Sequence, residues 1–178
     1  MSRKPQPASR AGRLWFRWRF HLSALLILIP LGYLPQYFHT LGLMSGDKGL
    51  GERELAEKQV GPWTVRLAEW QAREPIRDGE AGYIKTFTLA PCAGCGAGIK
   101  AAYLRVGKPR NLRTAGGLFS GTPYRQMANI PIPERSRADA AIWLTVEGWD
   151  GAVHQTNWPL AEASPATMAW LKKQGAGQ

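Results

Sequence analysis

Cysteine and histidine are scarce in this 178-residue chain, and the shortage excludes several kinds of protein. Two cysteines are too few for a disulfide-dense miniprotein or for a zinc site with four cysteine ligands. The three histidines, at positions 21, 39 and 154, do not cluster in the sequence. Hydrophobic residues make up 44% of the chain and charged residues 20%, which excludes a wholly disordered protein. The length favours one domain.

The sequence also lacks the common catalytic and nucleotide-binding signatures. It has no Gly-x-Ser-x-Gly, no His-Glu-x-x-His and no dinucleotide-binding fingerprint, and no Gly-Lys-Ser/Thr of a phosphate-binding loop follows Arg113. Glu147 and His154 face each other in a predicted hairpin, but such a pair is more often structural than catalytic. We therefore predict that the protein is not an enzyme and holds no cofactor or metal.

Acidic residues are absent from the N-terminal region, where a basic arm precedes an uncharged apolar segment. Residues 1–19 contain six basic side chains and no acid, and residues 20–46 contain no charged side chain. A helix from Trp18 to Tyr37 would extend roughly 28 Å, close to the ~30 Å hydrocarbon thickness of a bilayer. Aromatic residues favour the bilayer interface. We assign six residues to this interface: Trp15, Arg17, Trp18, Arg19, Tyr33 and Tyr37.

Two other interpretations of the apolar segment are weaker. A buried helix of a soluble protein would not need flanking cations and aromatic residues at both ends. A cleaved signal peptide has the same basic start, but no Ala-x-Ala-like cleavage site follows Leu34. An uncleaved signal anchor fits best, and Pro30 and Pro35 are predicted to kink or end its helix near the outer end.

The basic arm also predicts the orientation, because Lys and Arg beside a span stay in the cytoplasm. We divide the chain into a cytoplasmic arm (1–19), a transmembrane signal anchor (20–43), a juxtamembrane linker (44–60) in which Glu52–Gln59 is expected to form a short helix, and an exported β domain (61–178). In a Gram-negative bacterium the exported domain is periplasmic. The arm is expected to bind anionic lipid and no nucleic acid, since no DNA- or RNA-binding module surrounds it.

Period-two alternation predicts β-strands in the exported domain. The clearest are 63–70, 83–89 and 99–106, and weaker candidates lie at 112–119 and 124–130. We predict a mainly β fold: one N-terminal transmembrane helix, then a small antiparallel β-sandwich or open barrel of five to seven strands, with a short C-terminal helix.

The end of the chain predicts a hairpin and then that helix. Asp150-Gly151 between alternating segments favours a two-residue turn. Such a turn fixes four facing pairs: Trp149 and Ala152, Glu147 and His154, Thr145 and Thr156, and Trp143 and Trp158. Ser164 is a predicted N-cap, Pro165 suits the first helical position, and the helix should run to about Lys173.

Cys92 and Cys95 form the one motif with evident chemistry. Haem attachment is excluded, because Gly96 stands where a histidine would follow. A closed zinc site needs four ligands, and His154 is the only imidazole in the exported domain unless His39 emerges from the membrane, which argues against such a site within one chain. We favour a disulfide that closes a loop in an oxidising compartment. Thiol–disulfide exchange and a soft-metal site remain alternatives.

A basic stretch surrounds the cysteine pair. No acid occurs between Glu80 and Glu134. Its cations are most simply solvated strand and loop residues, but they can also form an electropositive surface for an anion or an acidic partner. The candidates are Lys100, Arg105, Lys108, Arg110, Arg113 and Arg125.

A basic arm, one span and a small exported β domain with Pro91-Cys-Ala-Gly-Cys-Gly96 together resemble a known class of protein. This class comprises small single-span accessory proteins of bacterial siderophore and metal uptake, which work with a PepSY-type membrane reductase. The resemblance is one of architecture. It implies a non-enzymatic inner-membrane subunit that docks on a transport or reductase complex during iron release. The alternative is a thiol redox or metal carrier acting through Cys92 and Cys95.

Overall fold

A computed structural model describes residues 10–46, 49–137 and 139–176 of the chain. The first nine residues of the predicted basic arm, with Arg3 and Lys4, lie outside the described residues. The chain divides into two compact units, Met1–Ser45 and Gly46–Gln178.

The first unit contains one long helix, α1, which spans Arg10–Ser45. Its most apolar 18-residue window has a mean hydropathy of 1.3, and none of that window is buried. By length and composition α1 can cross a membrane, as the sequence predicts. Pro30 and Pro35 lie inside α1. The prediction that they could end the helix is wrong, since each proline removes only one N–H from a long ladder of hydrogen bonds.

The second unit is mainly β, and the predicted fold class is confirmed. The strands among the described residues are β1 (Arg53–Glu54), β2 (Lys58–Val60), β3 (Trp63–Glu69), β4 (Ile76–Arg77), β5 (Tyr83–Pro91), β6 (Ile99–Val106), β7 (Gly117–Leu118), β8 (Ser120–Thr122), β9 (Arg125–Pro131), β10 (Ala141–Gly148) and β11 (Val153–Pro159). Two helices follow, α2 (Leu160–Ala163) and α3 (Pro165–Ala176). Sequence patterning found the long strands, but its count of five to seven is too low because strands of two or three residues are too short to show a period. The strand predicted at 112–119 is wrong in its first half, where Leu112–Thr114 form a 3-10 helix, and only Gly117–Leu118 is a strand.

All of the strand pairs are antiparallel, and they form two sheets. The first has the order β1-β3-β5-β9-β8, with β2 also paired to β3 and β4 to β5. The second has the order β11-β10-β6-β7. Their facing sides bury the core, whose largest members include Phe87, Leu89, Leu104, Leu144 and Trp158. This arrangement is a small sandwich.

The two sheets are joined along both sides, so the sandwich approaches a flattened barrel. On one side the chain passes from β7 in the second sheet to β8 in the first at buried Phe119, whose N–H donates to Ala102 O at 2.9 Å. On the other side Trp158 Nε1 donates to Ala56 O at 3.3 Å, and Lys58 Nζ donates to Asn157 O at 2.5 Å. These contacts cover edges that would otherwise present unpaired backbone groups.

The predicted helix at Glu52–Gln59 is wrong, because β1 and β2 occupy this segment. The reason is tertiary: Leu50 packs with Ala68 and Ala90 on the outer side of the first sheet. Thr88 Oγ1 also donates to Leu50 O at 2.6 Å. An extended segment can follow the sheet edge in this way, and a helix of the same length cannot.

The register of the β10–β11 hairpin also differs from the prediction. Gly148 N–H donates to Ala152 O at 2.9 Å, and Gly151 has φ of 80°. The connection is therefore a three-residue loop with a left-handed glycine at its end, which Asp-Gly also suits. Asp150 Oδ1 fixes the loop by accepting a 3.0 Å hydrogen bond from Ala152 N–H.

This one-residue shift replaces each of the predicted facing pairs. Trp158 lies opposite Ile142 in the core, and Trp143 lies opposite Asn157 on the other face. His154 lies opposite Val146, so Glu147 and His154 point to different faces of the sheet. The predicted facing of Glu147 with His154 and of Trp143 with Trp158 is therefore wrong.

A buried ion pair joins the two sheet strands β3 and β5 to the C-terminal helix. Lys85 Nζ lies 2.7 Å from Glu69 Oε1, and the two side chains are 4% and 0% exposed. Lys85 Nζ also donates to the carbonyl oxygens of Gln71, at 2.8 Å, and of Arg73. All three ammonium donors are thereby satisfied. Burial lowers the pKa of Lys85, and the hydrogen bond that its ammonium donates to Glu69 opposes that shift.

The Glu69 carboxylate also holds the start of α3. Ser164 Oγ donates to Glu69 Oε1 and lies 2.6 Å from Thr167 Oγ1, and both hydroxyl residues are buried. Arg53 Nε lies 3.4 Å from the second carboxylate oxygen. The predicted start of this helix at Pro165 is confirmed, and it extends to Ala176.

We expect Lys85→Met to lower the free energy of unfolding by about 3–5 kcal/mol, because it leaves the Glu69 carboxylate buried without its cation. The measurement is denaturant unfolding of the full chain in detergent, followed by tryptophan fluorescence. Adding Glu69→Gln to Lys85→Met should recover much of the loss, since both charges are then gone. Lys100→Met, which removes an exposed cation, should leave stability almost unchanged. Equal losses for the two lysine variants would contradict this account.

Candidate functional site

Cys92 and Cys95 form a disulfide at the end of β5, with their Cα atoms 5.2 Å apart. The chain turns sharply between them: Cys95 N–H donates to Cys92 O at 3.0 Å, and Gly94 has φ of 79°. A left-handed conformation of this kind favours glycine. The turn continues into a short 3-10 helix, Cys95–Gly98, which leads directly into β6.

The disulfide loop is anchored to strand β3 beneath it. Cys92 N–H donates to Thr64 O at 2.8 Å, and Thr64 N–H donates to Cys92 Sγ at 3.4 Å. Gly98 lies against the Trp63 indole: a Cβ at this position would be 3.0 Å from Trp63 Nε1. The carbonyl of Gly98 accepts a 3.3 Å hydrogen bond from Trp149 N–H. The loop therefore has a defined position next to the β10–β11 turn.

An open groove of about 750 Å³ runs beside this loop, and we call it the disulfide groove. It is lined by Pro91, Cys92, Ala93, Gly94, Gly96, Ala97, Gly121, Pro123, Tyr124 and Gln126, none of which carries a charge. Tyr124 is 84% exposed at the β8–β9 turn, and Trp149 is 69% exposed at the β10–β11 turn. This end of the unit thus combines a disulfide with exposed aromatic side chains.

The arrangement permits two kinds of chemistry. A partly exposed disulfide can undergo exchange with an incoming thiolate, and exposed aromatic residues beside an uncharged groove suit contact with a protein. Within the described residues, no three His, Cys, Asp or Glu side chains are grouped as a metal site would require.

The six cations of the predicted basic surface fall into two groups according to their contacts. Lys100 lies 2.7 Å from Glu147 Oε1, and this hydrogen bond raises the pKa of Lys100. Lys108 Nζ lies 5.2 Å from the centre of a Trp143 ring, and the Arg125 guanidinium lies 5.6 Å from a Trp70 ring. Three of the six predicted residues are therefore engaged with other side chains of the unit.

Arg105 and Arg113 instead line a second groove of about 320 Å³, the basic groove. Its other lining residues are Val106, Thr114, Gly116, Pro131 and Pro133. Arg110 is exposed on the segment that leads to Arg113. Sequence reasoning grouped all six cations, but only the fold separates these arginines from the others.

The six predicted interface residues all lie on α1, and their side chains are exposed. The Arg19 guanidinium lies 3.8 Å from the centre of the Phe16 ring, and the Trp18 ring lies 5.6 Å from that of His21. The aromatic side chains therefore lie on the same helix as the apolar segment that they were predicted to flank.

Sequence reasoning missed two features of the second unit. Tyr124 and Trp149 were placed within or beside strands, whereas both occupy turns. The pair Glu69 and Lys85 was not identified, although a signal existed: Glu69 follows Val65 and Leu67 at even spacing, so period two places it on the core face.

A family comparison covers both units. Residues 14–161 match the model of a family described as uncharacterised conserved protein UCP029505. The chain belongs to this family. The match includes most of α1 and all of the strands, and it ends within α2. No curated protein and no solved structure matches the chain significantly.

We expect Cys92→Ser/Cys95→Ser to lower the free energy of unfolding by about 2 kcal/mol, because a disulfide that closes so short a loop removes little chain entropy from the unfolded state. The measurement is denaturant unfolding of the oxidised full chain and of this variant. Reduced wild-type chain is the control and should match the variant. Complete unfolding of the variant without denaturant would contradict this expectation.

Proposed function

We propose that this protein is a non-enzymatic, single-pass accessory subunit of the bacterial inner membrane. The observation that carries the proposal is α1: none of its apolar window is buried, while the second unit encloses a core of its own. Such a helix requires an apolar environment, and a bilayer provides it. The cations near its N-terminal end favour a cytoplasmic N-terminus and a periplasmic β unit.

The β unit supplies the surface through which such a subunit would dock on its complex. Tyr124 and Trp149 project at two turns near the disulfide groove, and the groove carries no charge. Aromatic side chains of this kind dominate the binding energy of many protein interfaces. Their exposure therefore supports docking rather than catalysis.

The architecture further supports a place in siderophore or metal uptake, beside a PepSY-type reductase. Accessory subunits of these systems have the same order of basic arm, span and small exported domain. Two arginines in the basic groove, neither of which forms an ion pair with a described residue, support a function near anionic chelates or acidic protein surfaces. In this proposal the chain acts by binding, and the reduction takes place on the partner.

We expect the double variant Tyr124→Ser/Trp149→Ser to lose at least tenfold of the PepSY-type reductase that co-purifies with the tagged full chain from native membranes, since two aromatic contacts are each worth about 1–2 kcal/mol or more. The measurement is quantitative mass spectrometry after mild detergent extraction.

Ile76→Ser is the matched control, because Ile76 is an exposed apolar residue of β4. It should retain the partner at the wild-type level. Recovery of the wild-type chain alone from detergent, or its release from membranes by alkaline carbonate, would contradict the proposal.

A second candidate function is thiol–disulfide exchange, favoured by the position of Cys92 in the wall of the open groove. A partner thiolate would attack one sulfur and form a mixed disulfide. A second partner thiol would then release the Cys92–Cys95 dithiol, so that the partner loses two electrons and this chain gains them.

For this second function we expect the full chain, equilibrated in glutathione redox buffers and trapped by alkylation, to have a reduction potential above about −270 mV. The matched control is Cys95→Ser, which cannot form the ring and should show no two-electron transition. A potential below about −300 mV identifies a structural disulfide and excludes exchange.

A further inference from the structure

We propose that the basic groove binds an acidic segment of a partner protein, with Arg105 and Arg113 receiving its carboxylates. This inference rests on the proposed docking function and names the chemistry of one contact. The groove lies where β6 ends, beside the short 3-10 helix Leu112–Thr114 and the end of β9. It is distinct from the uncharged disulfide groove.

Arg105 is held in place before any ligand arrives. Its Nη1 donates to Thr114 O at 2.5 Å, and its Nε donates to Val106 O at 3.3 Å. These bonds use two of the five donors of a guanidinium, which leaves three for a carboxylate. A side chain fixed in this way loses little conformational freedom when it binds.

Arg113 is presented by a turn that is itself fixed. Asn111 Oδ1 accepts from Thr114 N–H at 3.1 Å, and Thr114 Oγ1 accepts from Asn111 N–H at 3.2 Å. The two residues thereby form a capping box around the 3-10 helix. Arg113 is exposed at the second position of this helix.

Neither arginine is neutralised by an acid of this chain. Among the described residues, the ion pairs involve Arg53, Arg66, Lys85, Lys100, Arg137 and Lys173, and none includes Arg105 or Arg113. Two guanidinium groups on one groove create a local positive potential, which attracts carboxylates and disfavours cationic partners. The negative charge that would compensate these two arginines is therefore expected on the ligand.

The rest of the groove fits a peptide rather than a small free anion. Val106, Pro131 and Pro133 supply an apolar wall, and Gly116, with φ of 107°, lets its segment pack closely against β6 at the side of the groove. A Cβ at Gly116 would collide with the Leu104 carbonyl. Pockets for small ligands bury most of the ligand, whereas this groove is open to solvent. A protein segment in which acidic residues are flanked by apolar residues would match both the arginines and the apolar wall of the groove.

The test uses the full chain in non-ionic detergent and the fluorescein-labelled peptide Gly-Ala-Glu-Val-Glu-Ala-Gly, with binding measured by fluorescence anisotropy. We expect Arg113→Gln to weaken binding roughly ten- to a hundredfold, the loss of a charge-assisted hydrogen bond. Arg113→Lys, which retains charge but not the paired donors, should give an intermediate affinity. Thermal unfolding of each variant should match the wild type, because Arg113 is exposed.

Arg77→Gln is the matched control, since Arg77 is an exposed arginine of β4 outside the groove. It should change the affinity by less than twofold. The same peptide with Gln in place of both Glu residues should bind the wild-type chain no more tightly than the Glu peptide binds Arg113→Gln, since it loses the contacts with both arginines. Equal weakening by Arg77→Gln and Arg113→Gln overturns the inference, because it identifies attraction to overall charge.

Two further results also overturn the inference. One is no detectable binding of the Glu peptide at ~1 mM, the weakest affinity at which such a contact is meaningful. The other is displacement of the peptide by glutarate at equal concentration, which assigns the groove to a small dicarboxylate. If the PepSY-type reductase still co-purifies with the wild-type chain, either result removes this contact alone and leaves the docking function intact.

Discussion

The carboxylate of Glu69 is the contact on which the β unit most depends. It is fully buried at the end of β3, between the Lys85 ammonium and the hydroxyl of Ser164. Strands β3 and β5 and the start of α3 therefore converge on one group. Removing one partner of a buried charge is costly. Both short contacts are made by Oε1, whereas Oε2 is buried and accepts no hydrogen bond from the described residues, so the link between these three elements depends on Oε1. Tyr83 of β5 also packs against Trp170 of α3, with the ring centres 4.5 Å apart.

At the surface of the β unit, some basic side chains have a carboxylate partner and others do not. Lys100 of β6 is neutralised by Glu147 of the neighbouring strand β10. Arg105 lies five residues further along β6 and has no carboxylate partner among the described residues. The basic stretch is thus not one uniform electropositive surface. Its charge is concentrated where the chain leaves β6, and the uncharged disulfide groove lies near the other end of that strand. The two ends offer different chemistry to a partner.

Much of the fold follows from local patterns. Alternation predicts β3, β5 and β6 because each has one face in the core, and Ser164-Pro165 marks the start of α3. The segment around Arg53 was misassigned because its conformation is set by the sheet edge that it covers and not by its own residues. The same limit applies to the basic groove: Arg105 of β6 and Pro131 of β9 belong to different sheets, so their proximity depends on how the two sheets pack, which no local pattern encodes.

The three-residue loop at the β10–β11 turn has a consequence for how this family can vary. Because the loop fixes the register, it decides that Trp158 enters the core and that Trp149 stands at the tip. Exchanging the residue at the tip alters only what a partner meets. Adding or removing a single residue there would instead invert β11, expelling an indole from the interior and drawing polar groups inward. Loop length is therefore constrained far more tightly than loop chemistry.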